Sequence, residues 1–474
     1  MPSSALPSDR QLSLNLFIMA TGHHEASWRH PRTQPERIND ADYYQQLART
    51  AEAAKFDAVF FADGPALYDN VEHGAHGLLE PIVTLAAIAA ATQRIGLIAT
   101  ASTTFYEPYN LARLFSTLDH LSKGRAGWNI VTTAASAAGA NFGLTEYPDT
   151  AERYARATEF LDVVTKLWDS WEHDAVLLDR ESGRYADPSK IHAAEHVGKR
   201  LSVAGALNSR RTPQGHPVLI QAGSSNDGRA FAGRYAEAIF TAHQQLSDGQ
   251  AFYADIKSRA AAFGRRPESV KILPGISPFI GGTEAEAKGL ERELNELTVP
   301  AYGLRQLSSL VGVELSEDTL DRPVPVELFA GAGDVTDNNR SRLQVVAGIV
   351  EREKPTVRGL LHRLAGARGH RVFTGTPEQV ADTITEWFTH GAADGFNVMP
   401  PYLPGGLEDF AEQVVPILQS RGIFREDYTG TTLRDHFGLD VPENRYTAAR
   451  SAAASVSAEA RSADAAGEPA LVDA

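Results

Sequence analysis

The 474-residue chain contains no cysteine. That absence removes disulfides, thiolate nucleophiles, cysteine-ligated zinc and cysteine-held iron–sulfur clusters together. Any redox chemistry must then rest on a bound organic cofactor or on a His/carboxylate metal site. Long hydrophobic runs are also missing: the longest quasi-apolar stretch, Pro81 to Thr92, is too short to span a bilayer. No Lys/Arg block occurs, and 45 basic against 60 acidic residues leave a net charge of −15. That is the wrong footprint for a nucleic-acid or anionic-membrane partner. The first ten residues, with Pro2, Pro7 and one late cation, lack the basic start and apolar core of a signal peptide. A cytoplasmic protein is expected. No GxGxxG lies between a strand and a helix and no GxxxxGK[ST] occurs; GAGDVT at Gly331 lacks the third glycine. Nicotinamide or ATP binding by those routes is unsupported.

What is present is a regular alternation. Apolar runs at Leu12–Met19, Ala58–Ala62, Ile95–Thr100, Ala126–Thr133, Val218–Ala222, Ala238–Thr241, Val270–Ile280 and Gly395–Met399 read as buried strands. Helical patterns separate them. Tyr44, Leu47, Ala48 and Ala51 form one such stripe, and Phe160, Val163, Val164, Leu167 and Trp171 another. Continuous apolar strands between helices imply a parallel sheet covered on both faces. Eight of them predict a closed (β/α)8 TIM barrel. Two stretches break the repeat, near 172–214 and 300–370, and are expected to be insertions on barrel loops. Residues 1–11 are expected to be a flexible N-terminus. Thr447–Ala474 has almost no large apolar residue and is predicted to be disordered, leaving one domain over 12–446.

In such a barrel the chemistry sits on loops at the C-terminal ends of the strands. His23 and His24 follow the first strand, Asp63 the second, Thr100 ends the third, and Asn129 lies in the fourth. An imidazole there can hydrogen-bond an oxygen species or move a proton near neutral pH. QAGSSNDGRAFA runs from the fifth strand through Gly223, Ser224 and Ser225 into a helix, an arrangement that suits an anion such as phosphate. The same residues also read as an ordinary helix cap. Tyr154 and Arg156 could reach that anion, or Arg156 could pair with Glu152 or Glu159. HAAEH, at His192, Glu195 and His196, matches an inverted zinc-peptidase pattern but lies in a turn-rich segment with no evident third ligand, so no metal site is expected.

Longer motifs carry a resemblance. LNLFIMATGHHEASWRHP, AKFDAVFFAD, IGLIATASTTFYEPYNLAR, FSTLDHLSKGRAGWNIVTT, NFG, ERYARATEFLDVVTKLWDSWE, GHPVLIQAGSS, GTPEQVAD and GAADGFNVMPPYLPGGLEDF occur in order between Leu12 and Tyr446. With them the chain resembles the nitrilotriacetate monooxygenase, pristinamycin synthase and dibenzothiophene-sulfone monooxygenase group of bacterial-luciferase-like flavin monooxygenases. The resemblance implies a barrel that binds FMN, with reduced FMN supplied by a separate NAD(P)H:flavin reductase and O2 as co-substrate. One oxygen atom would pass to a small organic nitrogen or sulfur compound, with C–N or C–S cleavage as an accessible outcome. Carried over by motif, Asp63, Thr100, Asn129, Tyr154, Ser224 and Ser225 are cofactor-binding positions. Thr150 stands where the group usually has His and keeps a hydroxyl donor. His23 or His24 would orient oxygen or supply a proton, and Phe17, Phe61 and Trp28 would line the pocket. Relatives suggest a homodimer or homotetramer. The alternatives are a deazaflavin-dependent dehydrogenase of the same superfamily and a non-catalytic flavin-binding subunit.

Overall fold

A computed structural model describes residues 10–67, 71–75, 79–133, 136–223, 225–329, 337–367 and 369–452. Nine strands are linked in one parallel sheet: β1 (Ser13–Ile18), β2 (Ala58–Phe61), β3 (Gly96–Ser102), β4 (Ala126–Val131), β5 (Val218–Gln221), β6 (Ala238–Thr241), β7 (Lys271–Ile280), β8 (Arg371–Gly375) and β9 (Gly395–Val398). Eight of them close a ring. β1 pairs with β2, the neighbours follow in turn to β7, β7 pairs with β9, and β9 returns to β1 with Ser13 opposite Gly395. The expected barrel is therefore the fold. β8 is the addition: it lies outside the ring, on the distal half of β7, with Ile276 opposite Arg371.

The two-residue period sorts side chains to the two faces of the sheet. Phe17, Phe60, Ile98, Ile220, Phe240 and Leu273 form the inner cluster. Leu14, Leu16, Val59, Phe61, Leu97 and Trp128 belong to the outer core under the helices. The inner cluster is completed by Leu433, Phe437 and Leu439 from the C-terminal segment. Leu433 N bonds Gly124 O, just before β4, which puts this plug at the N-terminal end of the barrel. Its other end is left to the loops.

The helices follow from spacing and caps. In α1 (Ala41–Ala53), Tyr44, Leu47, Ala48 and Ala51 are buried on one stripe. α2 (Pro81–Ala89) and α3 (Pro108–Ser122) start on prolines, whose missing N–H costs nothing in a first turn. α4 (Thr150–Asp169) is capped by Asp149, which accepts from Glu152 N at 2.8 Å. α5 (Asn226–Tyr235) and α6 (Leu246–Ala262) follow β5 and β6. α7 (Glu284–Glu296) follows β7, and α8 (Pro300–Val311), α9 (Asp337–Glu353) and α10 (Val357–Ala367) pack around Leu304, Leu307, Val346, Val350 and Leu360 as a satellite core. α11 (Pro377–Thr389) begins with a capping box between Thr376 and Gln379. The segment between α4 and β5 holds two short hairpins, Val176–Asp179 with Arg184–Ala186 and His196–Val197 with Ser202–Val203.

The described residues nearest the two termini, Arg10 and 445–452, are held more firmly than composition predicts. Arg10, placed in the flexible N-terminus from sequence, donates to Phe388 O, Ala393 O and Asp394. Residues 445–452 are helical, so 447–452 are ordered, and the rest of the segment expected to be disordered lies outside the described residues. Thr447 and Arg450 bond the buried Glu172 carboxylate, and a charged anchor supplies what apolar surface does not. Among the described residues, no helix is long and apolar enough to cross a membrane.

Candidate functional site

Thr100 and Asn129 stand opposite one another on β3 and β4. Asn129 is two residues beyond Gly127, where an added Cβ would touch the inner residues Ile98, Ile220 and Leu433, so both face the interior. The Thr100 hydroxyl donates to Phe61 O at 2.8 Å and accepts from Asn129 Nδ2 at 2.8 Å. A carbonyl oxygen only accepts, so this chain of bonds fixes the amide orientation. It leaves Asn129 Oδ1 buried with no hydrogen-bond partner. A buried amide acceptor in that state costs stability unless a ligand donor meets it.

The neighbouring strand carries the anion seat. Ser225 caps α5, its Oγ accepting from Gly228 N at 3.1 Å. Tyr154, on the second turn of α4, hydrogen-bonds Ser225, and burial pushes its phenol up so that it stays a neutral donor. An added Cβ would lie 3.0 Å from the Tyr154 hydroxyl at Gly223 and 2.9 Å at Gly228. Two bare backbone positions and a hydroxyl thus converge at a helix N-terminus. Ser224 lies outside the described residues. Thr150 is four residues before Tyr154 on the same face of α4. Its Oγ1 accepts from Arg153 Nη2 at 3.0 Å, and Arg153 also bonds Pro148 O. Arg156 does neither thing foreseen for it: it donates to Thr103 O and Tyr106 O and fastens the loop after β3.

Asp63 follows β2. Burial raises its carboxyl, a hydrogen bond from Gly64 opposes this, and Glu80 raises it further. Glu80 caps α2 through Val83 N and accepts from Tyr106, so two carboxylates share the β2–β3 side of the mouth.

The adjacent histidines part company. His23 is buried, lies 4.5 Å from the Phe17 ring, and places Nε2 2.9 Å from Phe17 O, which requires the Nε2–H tautomer. His24 turns away to α7, with Nε2 3.2 Å from Asn295 Oδ1 and Nδ1 accepting from Ala26 N. Burial lowers His24 to about 4, against the Asn295 hydrogen bond, which favours the neutral imidazole at pH 7. Of the proposed aromatic lining, Phe17 faces inward, whereas Phe61 faces α1 with its ring 5.5 Å from Tyr44. The inward neighbour is Phe60, stacked 4.5 Å from Phe17. Trp28 is 37% exposed and bonds His73 O.

Two mouth residues escaped sequence reading. Phe240 meets Phe17 and Phe60 edge-on at 5.4 and 5.7 Å. His370 stacks on Phe240 at 4.7 Å with an interplanar angle of 1°. Parity along β6 could have found Phe240. His370 ends a long segment whose packing no local pattern encodes. A cleft of about 500 Å³ between α7 and α10, lined by Lys288, Arg292, Asn295, Arg358 and His362, lies outside this mouth. HAAEH is not helical: His192 bonds Glu172 and His196 bonds Glu159, so its histidines face different carboxylates.

The Luciferase-like monooxygenase family model matches residues 16–394. The chain is 48% identical to N-acetyl-S-(2-succino)cysteine monooxygenase of Bacillus subtilis (strain 168), over 92% of this chain and 98% of that protein. It is 46% identical to nitrilotriacetate monooxygenase component A of Aminobacter aminovorans, over 92% and 98%. A solved structure of riboflavin lyase with modified FMN and substrate riboflavin superposes with a TM-score of 0.81 at 35% identity, covering 92% of this chain and 97% of that one. With its closed barrel and its polar, helix-capped mouth, the chain belongs to the luciferase-like monooxygenase family.

Proposed function

We propose that the protein is the oxygenase component of a two-component system, using reduced FMN and O2 to oxygenate a small organic nitrogen or sulfur compound. The observation that carries this reading is the pairing of an unsatisfied buried amide oxygen, Asn129 Oδ1, with the Tyr154–Ser225 anion seat on the adjoining strand. A flavin ring offers N–H donors and its side chain ends in a phosphate, so the two features fit the two ends of one FMN. Support also comes from the relative named component A, which implies a further component, and from the structural relative holding a modified FMN.

In this reading Tyr154, Ser225 and the free N–H groups of α5 hold the phosphate, Thr150 adds a hydroxyl, and Asn129, oriented by Thr100, receives a ring N–H. Ser224 joins the phosphate seat by its place in the motif. When bound, reduced FMN supplies two electrons and activates dioxygen, one oxygen going to substrate and one leaving as water. The chain's own share is positioning and dryness. Phe17, Phe60 and Phe240 exclude water from the mouth. His23 presents an imidazole beside them with a fixed tautomer, and Asp63 follows the neighbouring strand β2, its carboxyl raised by burial.

The test supplies FMN, NADH and a generic flavin reductase, and screens nitrilotriacetate and N-acetyl-S-(2-succino)cysteine among amines and thioethers. Oxygen uptake coupled to a product heavier by one oxygen atom, or to its cleavage products, is expected. Uptake that no compound couples to product would refute the reading.

A further inference from the structure

A second histidine at the mouth is His370. It is the last residue before β8, and its N–H closes a turn onto Ala367 O at the end of α10. From there the side chain enters the barrel mouth. Its ring lies flat on Phe240, and Phe240 in turn touches Phe17 and Phe60. The room is made by a glycine on β7: a Cβ added at Gly275 would sit 2.5 Å from His370 Nδ1 and 2.7 Å from Met399 Sδ. Any larger residue at 275 would expel the imidazole or Met399.

The mouth therefore has two imidazoles on one aromatic floor, His23 against Phe17 and His370 against Phe240. The carboxylates Asp63 and Glu80 are on the β2–β3 side, across the ring of strands from β6 and β7. We propose that His370 is a substrate-positioning residue: its stacked imidazole donates a hydrogen bond to an acceptor oxygen, such as a carboxylate, on the compound being oxygenated. Stacking removes rotational freedom from the ring, so the donor is aimed before substrate arrives. The carboxylates on the far rim bias an anionic group toward the histidine side. In this way the segment after α7 is part of the substrate site as well as an addition to the fold.

The inference rests on the monooxygenase reading, and the experiment separates the two. H370F keeps a flat ring on Phe240 and deletes the donor, whereas H370Q keeps a donor without the ring. With the substrate from the screen above and the holoenzyme, H370F is expected to raise KM about tenfold, the loss of one charge-assisted hydrogen bond. FMN affinity and substrate-free oxygen uptake should stay within about twofold, while product per oxygen consumed falls; H370Q should recover part of the KM. If KM and coupling in H370F match the parent while FMN binding is intact, His370 does not position substrate. If the parent itself couples oxygen to no compound, the functional reading falls and this inference falls with it.

Discussion

At the scale of single residues, the site is built from groups whose partners are nearly all accounted for. Thr100 serves Phe61 O and Asn129 at once, and Asn129 Oδ1 alone among that trio is unsatisfied. Replacing Asn129 by Ala should weaken FMN binding about tenfold, the value of one hydrogen bond in a buried site. The apo protein should lose little stability, because the variant also removes an unpaired acceptor. Tyr154→Phe should weaken FMN similarly, and flavin-fluorescence titrations of both variants would check this. Unchanged affinity in both would detach the flavin from these strands. The histidine pair shows how far residue type can be read. A sequence shows that His23 and His24 are adjacent, but not that one faces Phe17 and the other Asn295. That choice is made by the path of the loop, pinned by His23 N on Pro400 O and His24 N on Pro401 O.

Elements were more legible than side chains. The barrel strands are short apolar runs and the helices are amphipathic stripes, so period alone locates them. β8 was missed because RVFTG is only half buried and pairs with the overhanging end of β7, outside the ring. Parity within β2 was misread at Phe61, since in FF either residue can be the inward one until the register with β1 and β3 is known. The C-terminal segment is a further element whose role needs the fold. Leu433 is fully buried in the inner cluster at the N-terminal end of the barrel. Leu433→Ala should cost about 2–5 kcal/mol in urea unfolding. FMN affinity should be unaffected, since the bottom of such a barrel serves stability and the top serves chemistry. A parallel loss of FMN binding in the folded variant would contradict that division.

Across the whole molecule, buried titratable groups set the response to acid. His24, His243 and His436 are each lowered to about 4, chiefly by burial. The unfolded chain binds protons at these sites first, near pH 6.5, so their contribution is present above that pH and is lost as pH falls toward 4. Asp57, raised to about 6 by burial against its Arg425 partner, acts in the opposite sense. Asp169 follows at lower pH: burial raises it, but hydrogen bonds and charges from His216 and Arg211 outweigh this and bring it to about 2. Glu172 reaches about 2 mainly through Arg450. Their stabilisation is present above about pH 4 and disappears toward pH 2. Melting temperature against pH should therefore fall in two stages. His436→Gln should flatten the upper stage, and Arg450→Met the lower; a curve unchanged in both variants would exclude these groups. The lower stage also ties the helix at 445–452 to the fold, since Arg445 pairs with Asp169 and Arg450 with Glu172.

The sequence by itself determined the kind of molecule: a parallel barrel, without thiol chemistry, whose ordered motifs name its family. Those properties depend on composition and on periods of two and 3.6 residues, which are local. Tertiary structure alone decided which of two neighbouring phenylalanines or histidines enters the mouth, that Arg156 serves a loop instead of an anion, and that His370 reaches the aromatic floor. Each of those outcomes depends on register, loop path or the space left by a glycine on another strand, and contacts between residues distant in sequence leave no periodic trace.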